Sequence, residues 1–175
     1  MSFEIERRFL VRSTDWRQFA ARHADIRQAY LSINNKSSVR VRVCDAKIAT
    51  LTVKSRPAKI RRLEVQYSIS ILEAEALIAL RQGSVVEKTR YQVPCGDLNW
   101  EVDAFSGDNH GLVIAEIELR HERQRIELPA WIAQEISGHL QYYNGFLAQF
   151  PFSSWGQEVP PTIRTSLAQR ACELH

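Results

Sequence analysis

Hydrophobic and polar residues alternate along most of this chain, and a two-residue period predicts β-strands. Over residues 39–43, for example, valine alternates strictly with Arg40 and Arg42, so both arginines share one face of the strand. Eight segments carry such a pattern, at residues 3–11, 27–34, 38–44, 48–56, 61–69, 84–93, 98–105 and 112–121. Short turns join nearly all of them, which predicts a mostly antiparallel sheet.

Helical spacing of apolar residues predicts helices between and after these strands. The first spans about residues 15–23, and the second spans 71–82, where Ser70 and Glu73 form a capping box. A third is expected to begin at Pro129 and end near residue 138, followed by a short helix over about 139–149.

Eight strands can close into a barrel that encloses side chains or one small ligand. We therefore expect an α+β, mainly β fold: an eight-stranded antiparallel closed barrel with helices packed outside. The length of 175 residues favours one domain, over residues 1–149, followed by a tail at 150–175 in which Thr162 can cap a short helix.

Ionisable residues two positions apart recur on five of the predicted strands. Each pair lies on one strand face: Glu4 and Glu6, Arg40 and Arg42, Lys88 and Arg90, Glu101 and Asp103, and Glu116 and Glu118. Taken singly, each pair is typical of a solvated sheet face. Together they segregate by sign, and neighbouring like charges repel unless a counter-ion binds. The five pairs indicate one surface that holds a polyanion and its metal ions.

Arginine and lysine on several walls fit the many oxygens of a triphosphate. Facing carboxylates suit Mg²⁺ or Mn²⁺, and no histidine or cysteine shows the spacing of a transition-metal site. A water oriented by a carboxylate is the natural nucleophile in such a site.

Net charge and hydropathy limit the classes of binding partner. The net charge is only +3 and no lysine- or arginine-rich block occurs, so we expect no nucleic acid partner. No apolar run approaches a membrane span, and the N-terminus lacks the apolar core of a signal peptide. The expectation is a cytoplasmic protein with a small-molecule partner, and a homodimer stays open.

The run Glu4-Ile5-Glu6-Arg7-Arg8 resembles the ExExK signature of the CYTH superfamily, also called triphosphate tunnel metalloenzymes. The charged strands that follow keep the order of that family over about residues 3–149. Among its members, the chain looks most like small bacterial proteins related to inorganic triphosphatases.

This resemblance implies an eight-stranded tunnel and a role for each matching residue. The residues implied to bind triphosphate are Arg40, Arg42, Lys54, Arg62, Lys88 and Arg90. The implied ligands of Mg²⁺ or Mn²⁺ are Glu4, Glu6 and Glu118, with Glu116 as a further candidate. Arg8, Glu64 and Asp103 form the implied catalytic set, in which the carboxylates position water or hold the basic groups.

The function implied is metal-dependent hydrolysis of a triphosphate, with inorganic tripolyphosphate as the leading substrate. Adenylate cyclase and nucleoside or thiamine triphosphatase activities remain alternatives within the superfamily. Arg8 stands where the motif has lysine, and arginine is bulkier and does not deprotonate. A slowed enzyme, or a non-catalytic binder of polyphosphate or nucleotide, therefore stays open. Where relatives often carry basic residues, this chain has Tyr142 and Tyr143. We expect them to pack, and stacking on a base or a thiamine ring is the alternative.

Overall fold

The computed structural model describes residues 5–55, 63–121 and 123–156, and its core is one antiparallel sheet of nine strands. All eight predicted strands are present. The strands are β1 (Ile5–Val11), β2 (Arg22–Ile33), β3 (Ser37–Cys44), β4 (Ile48–Ser55), β5 (Glu64–Ile69), β6 (Gln82–Cys95), β7 (Leu98–Ser106), β8 (Val113–Leu119) and β9 (Ile132–Glu135).

The sheet order is β5-β4-β3-β2-β6-β7-β8-β1-β9. The two longest strands, β2 and β6, pair at the centre and join the meander of β2 to β5 with the second half of the sheet. Strands β5 and β9 are the two ends, and no ladder between them is present in the described residues. The hydrogen-bonded closure of the predicted barrel is therefore not observed in this part of the chain.

The outer face of the sheet is apolar and is covered in two places. Trp16, Phe9, Trp100 and Trp131 lie in one cluster, in which the ring centroids of Phe9 and Trp100 are 5.5 Å apart. Helix α1 (Ile71–Ala79) covers a second cluster over β2, β3 and β4. Its predicted capping box is present, with the Ser70 hydroxyl accepting from the backbone N–H at N3. Burial of these side chains directs the alternating charged residues to the opposite, inner face.

The inner face is polar along one part and apolar along the other. The apolar part contains Tyr30, Val86, Phe105 and Ile114, and helix α2 (Asn144–Gln149) contributes Leu147 and Ala148 to it. The expectation that helices pack outside holds for α1 and is wrong for α2, because the buried residues of α2 belong to this inner cluster.

Glycine is required where β6 passes α2. Gly83 has φ +74°, and a Cβ built on it would lie 2.2 Å from the carbonyl oxygen of Ala148. The close approach of these two backbones fixes α2 at one end of the inner face.

Three predicted helices differ from the structure in type or extent. Residues 15–23 form a short 3₁₀ helix at Asp15–Phe19, after which β2 begins at Arg22 because it pairs with the long β6. The helix expected from Pro129 is replaced by β9, which pairs with the otherwise free edge of β1. The segment 139–149 divides into a 3₁₀ turn at Leu140–Tyr142 and α2.

Beyond α2, the chain still packs on the domain. Phe152 and Trp155 contact the inner apolar cluster, and the Phe152 N–H donates to Asn109 Oδ1 at 2.8 Å. The short helix expected over 162–172 lies outside the described residues, and the assignment of 150–175 as a tail stays a prediction. No helix in the described ranges is long and apolar enough to cross a membrane.

Candidate active site

A cavity of about 800 Å³ occupies the polar part of the inner face. Strands of both sheet halves supply its wall, and residues from Leu140 to Gln149 cover it. Nine predicted site residues line it: Glu6, Arg8, Arg40, Arg42, Lys54, Glu64, Arg90, Glu116 and Glu118. Lys88 and Asp103 lie outside this lining. Glu4 and Arg62 fall outside the described residues, so their predicted roles stay predictions.

Arg40 and Arg42 form a positive wall without a neutralising carboxylate in the described chain. Arg40 is buried, and its Nε has no hydrogen-bond partner among the described residues. Arg42 donates from Nε and Nη2 to Gln28 Oε1, at 3.1 and 3.0 Å. Burial lowers the pKa of Arg42 to about 10, assisted by the nearby charges of Arg40 and Arg90. Arg42 remains protonated at neutral pH, and with Arg40 beside it this wall is basic.

Asp103 holds two cations from below the cavity. It is 1% exposed and accepts from Lys88 Nζ and from Arg90, whose Nε and Nη2 lie 2.6 and 2.7 Å from its oxygens. Burial alone would raise the pKa of Asp103, but Lys88 and Arg90 outweigh it and hold that pKa well below its usual range. Asp103 is therefore ionised and fully engaged, a position suited to orienting basic groups rather than to contacting water.

Lys88 is buried with Asp103. Burial lowers the pKa of Lys88 to about 8, with Arg90 acting in the same direction and Asp103 opposing it. Lys88 remains mostly protonated at neutral pH. The structure places it beneath the cavity, so a direct contact with triphosphate would require a rearrangement.

Glu116 lies between two arginines. Its Oε2 accepts from Arg90 Nη2 at 2.8 Å, and its Oε1 is 3.2 Å from Arg8 Nε. Arg90 also pairs with Glu101, and despite burial these carboxylates and Asp103 raise the pKa of Arg90. Both oxygens of Glu116 thus face guanidiniums, which suits holding the basic groups better than binding a metal.

Arg8, the residue in the place of the motif lysine, is fixed on three sides. It donates from Nη2 to Glu6 Oε1 at 2.7 Å, lies beside Glu116, and its Cζ is 4.2 Å from the centroid of the Tyr143 ring. Burial opposes its charge, but Glu116 and Glu6 prevail and raise the pKa of Arg8. Arg8 therefore acts as a permanent cation and not as a proton acceptor.

The two tyrosines after β9 behave differently. Tyr142 packs, with its ring centroid 5.4 Å from that of Trp155, as expected. Tyr143 lines the cavity and covers Arg8, a contact that the sequence did not predict.

Glu6 and Glu118 are the predicted metal ligands that best fit a cation. They are direct partners across the β1–β8 ladder, and both line the cavity. Glu118 has no hydrogen bond or ion pair within the described residues. Two adjacent carboxylates, one of them unengaged, fit a hard divalent cation such as Mg²⁺. A full group of three or more carboxylate, histidine or cysteine ligands is not formed by the residues that the structure describes.

Lys54 and Glu64 complete the cavity wall at the β4–β5 end. They are cross-strand partners and form an ion pair, with both side chains mostly buried. Glu64 is thus the only carboxylate of the predicted catalytic set that lines the cavity, because Asp103 lies below it.

Two polar residues of the site were missed by the sequence interpretation. Gln28 supports Arg42, and Glu101 pairs with Arg90 but received no role. The two-residue spacing of Glu101 from Asp103 could have indicated its place in the site. No sequence pattern indicates Gln28, because its contact depends on the register that places it opposite Arg42 across β2 and β3.

Comparison with known proteins agrees with this geometry. The CYTH domain, as a family model, matches residues 2–146. The chain belongs to the CYTH family. A CYTH-family relative, an inorganic triphosphatase of Acetivibrio thermocellus, is 42% identical over 156 residues, which cover 89% of this chain and 99% of that protein. An inorganic triphosphatase of Nitrosomonas europaea is 33% identical over 150 residues, covering 83% of this chain and 96% of its own.

A solved structure gives the same result for the CYTH fold. A crystal structure of an inorganic triphosphatase aligns with a TM-score of 0.64 at 30% identity, covering 85% of this chain and 95% of that one. The resemblance noted from the ExExK-like run is confirmed, and so is the α+β, mainly β fold class.

Proposed function

We propose that this chain is a metal-dependent triphosphatase whose leading substrate is inorganic tripolyphosphate. The observation that carries the proposal is the pair Arg40 and Arg42, two cations without a carboxylate partner in the described residues, which line the same cavity as Glu6 and Glu118. The two curated relatives described above are named inorganic triphosphatases, which supports the same reaction.

The charge balance of the site supports a metal requirement. Among the described residues, seven cations lie at the site with an equal number of carboxylates: Arg8, Arg40, Arg42, Lys54, Lys88, Arg90 and Arg120 with Glu6, Glu64, Asp97, Glu101, Asp103, Glu116 and Glu118. A polyanion therefore gains little net attraction from these groups as a whole. Glu6 and Glu118 would hold Mg²⁺ or Mn²⁺, which supplies positive charge and polarises the attacked phosphoryl group.

Side chains of the site would bind the substrate, activate the water and stabilise the developing charge. Arg40 and Arg42 would bind phosphate oxygens, since guanidinium matches them in bidentate geometry. Water would attack the terminal phosphorus as its bond to the bridging oxygen breaks, releasing orthophosphate and pyrophosphate. Glu64 would orient that water and accept its proton, and Arg8 would stabilise the charge that develops on the phosphoryl oxygens.

A second candidate is a non-catalytic binder of triphosphate. The observation that favours it is Arg8, which is held by Glu6, Glu116 and Tyr143 and cannot act as a base at neutral pH. In that case the cavity would retain tripolyphosphate without cleaving it.

The test is phosphate release from tripolyphosphate, ATP and thiamine triphosphate, each with Mg²⁺, Mn²⁺ or EDTA. We expect metal-dependent release, fastest from tripolyphosphate, and a further increase in Arg8→Lys. Faster turnover of ATP would favour the nucleotide-acting alternatives. If wild type and Arg8→Lys release no phosphate from any substrate while tripolyphosphate still raises the melting temperature, the hydrolase proposal fails and the binder is favoured.

A further inference from the structure

Gln28 makes the most specific polar contact of the site that the proposed reaction does not use. It is fully buried on β2 and lies directly opposite Arg42 on β3. Its Oε1 accepts two hydrogen bonds from the same guanidinium, from Nε at 3.1 Å and from Nη2 at 3.0 Å. Arginine only donates, so the chemistry of the pair fixes which end of the amide faces Arg42.

The choice of a neutral acceptor sets Arg42 apart from the other supported cations. Arg8, Lys54, Lys88 and Arg90 each lie against at least one carboxylate. Arg42 is held by an amide and has no carboxylate partner among the described residues. A glutamate in place of Gln28 would give the same hydrogen bonds and would also neutralise the guanidinium.

The amide is also incompletely satisfied. Gln28 Nε2 is buried and has no hydrogen-bond partner among the described residues. A buried donor without an acceptor weakens the folded state, so the position is not optimised for stability alone. A functional requirement for a neutral acceptor explains this arrangement.

The geometry of the pair leaves Arg42 ready for an anion. Two of its five N–H groups are engaged by Gln28, which leaves three donors on a side chain whose orientation is fixed. Neighbouring Arg40 adds a second guanidinium with no carboxylate partner in the described part of the chain. Two neighbouring guanidiniums without a carboxylate partner in the described residues, one of them oriented by Gln28, fit a chain of phosphoryl groups, which carries several oxygens on each face.

We propose that Gln28 is a positioning residue that orients Arg42 toward the cavity without neutralising it, so that Arg40 and Arg42 together form a binding wall for inorganic triphosphate. This inference rests on the proposed function, because it assigns a supporting residue to the same site. It makes the strength of triphosphate binding depend on the charge, and not only on the shape, of the residue at position 28.

The test measures the dissociation constant of tripolyphosphate by calorimetry in EDTA, beside the melting temperature without ligand. In Gln28→Glu we expect binding to weaken by about 10- to 100-fold, the range found when a charged partner is neutralised. The melting temperature of this variant should stay equal or rise, because the new carboxylate pairs with Arg42. Affinity would then fall without a loss of stability, which a purely structural role does not predict.

Two further variants separate charge from shape. Gln28→Met keeps the side-chain length and removes the acceptor, so it should weaken binding less than Gln28→Glu, and restoring Gln should restore both readouts. Gln82→Glu places the same new charge at an exposed position of β6 outside the cavity lining, and it should bind as wild type.

The outcomes distinguish this inference from the proposed function. If wild type binds tripolyphosphate and Gln28→Glu binds it equally well, or if every loss of affinity follows a loss of melting temperature, the role of Gln28 is refuted and the triphosphatase proposal stands. If wild type neither binds nor hydrolyses tripolyphosphate, both are refuted together.

Discussion

Replacing Asp103 by asparagine tests the buried charge network at its most constrained point. Asp103 is the carboxylate shared by Lys88 and Arg90, and Lys88 is also almost fully buried. Removing one partner of a buried ion pair leaves an uncompensated charge and costs about 3–5 kcal/mol. For a domain of this size that corresponds to a fall in melting temperature of roughly 6–20 °C.

The assay is urea unfolding at pH 7, with Glu101→Gln as the matched control. Glu101 also pairs with Arg90, but its side chain is 34% exposed, so its loss should cost no more than about 1 kcal/mol. A double variant, Lys88→Met with Asp103→Leu, should recover most of the lost stability, because an apolar pair replaces a buried ion pair well. Equal costs for Asp103→Asn and Glu101→Gln would refute the reasoning.

The same variant has a predictable pH dependence. The pKa of Asp103 is lower in the folded state than its unfolded value of about 3.9, so its contribution is complete above that value. As the pH falls toward the folded pKa, the unfolded chain takes up the proton first and the contribution is lost. The difference in unfolding free energy between wild type and Asp103→Asn should therefore shrink below about pH 4. A constant difference from pH 7 to pH 3 would contradict the assignment.

Three further predictions concern the backbone and the cavity wall. Gly83→Ala should destabilise the fold by clearly more than Gly96→Ala, which has a similar positive φ but open space around its Cβ and should cost only about 1–2 kcal/mol in urea unfolding. Tyr143→Leu should remove about 0.5–2 kcal/mol of stabilisation from Arg8. The variant should lower kcat more than it raises KM, and unchanged kinetics would show that the contact has no role in turnover. Arg40→Gln should weaken tripolyphosphate binding by at least tenfold without lowering the melting temperature, and a parallel loss of stability would show that the side chain is structural.

The strands and their faces could be predicted because burial enforces a two-residue period. Arg40 and Arg42 lie on the strand face that lines the cavity, as the alternation predicts. Glu101 also faces the cavity, and its neighbour Trp100 lies in the outer apolar cluster. The strand after residue 129 could not be predicted. The segment that becomes β9 has no strong strand pattern, and it forms a strand because the edge of β1 is available for pairing.

The sequence predicted which charged residues belong to the site better than it predicted which of them pair with each other. Spacing and resemblance identified nine charged residues that line the cavity, but not which acid holds which base. Asp103 lies below the cavity and Glu116 between two arginines because of the register among β6, β7 and β8. Gln28 opposite Arg42 depends in the same way on the pairing of β2 with β3. Register is a tertiary property, and the period of a single strand does not contain it.

The most direct measurement is orthophosphate release from tripolyphosphate as Mg²⁺ is titrated, for wild type, Glu118→Gln and the surface control Glu75→Gln. Glu118 lines the cavity opposite Glu6, whereas Glu75 pairs with Arg27 on the exposed surface of α1. The account predicts release that requires the metal, a Glu118→Gln variant that needs far more Mg²⁺ or is inactive, and a Glu75→Gln variant that matches wild type. Release that persists in EDTA, or an unchanged Mg²⁺ dependence in Glu118→Gln, would contradict it.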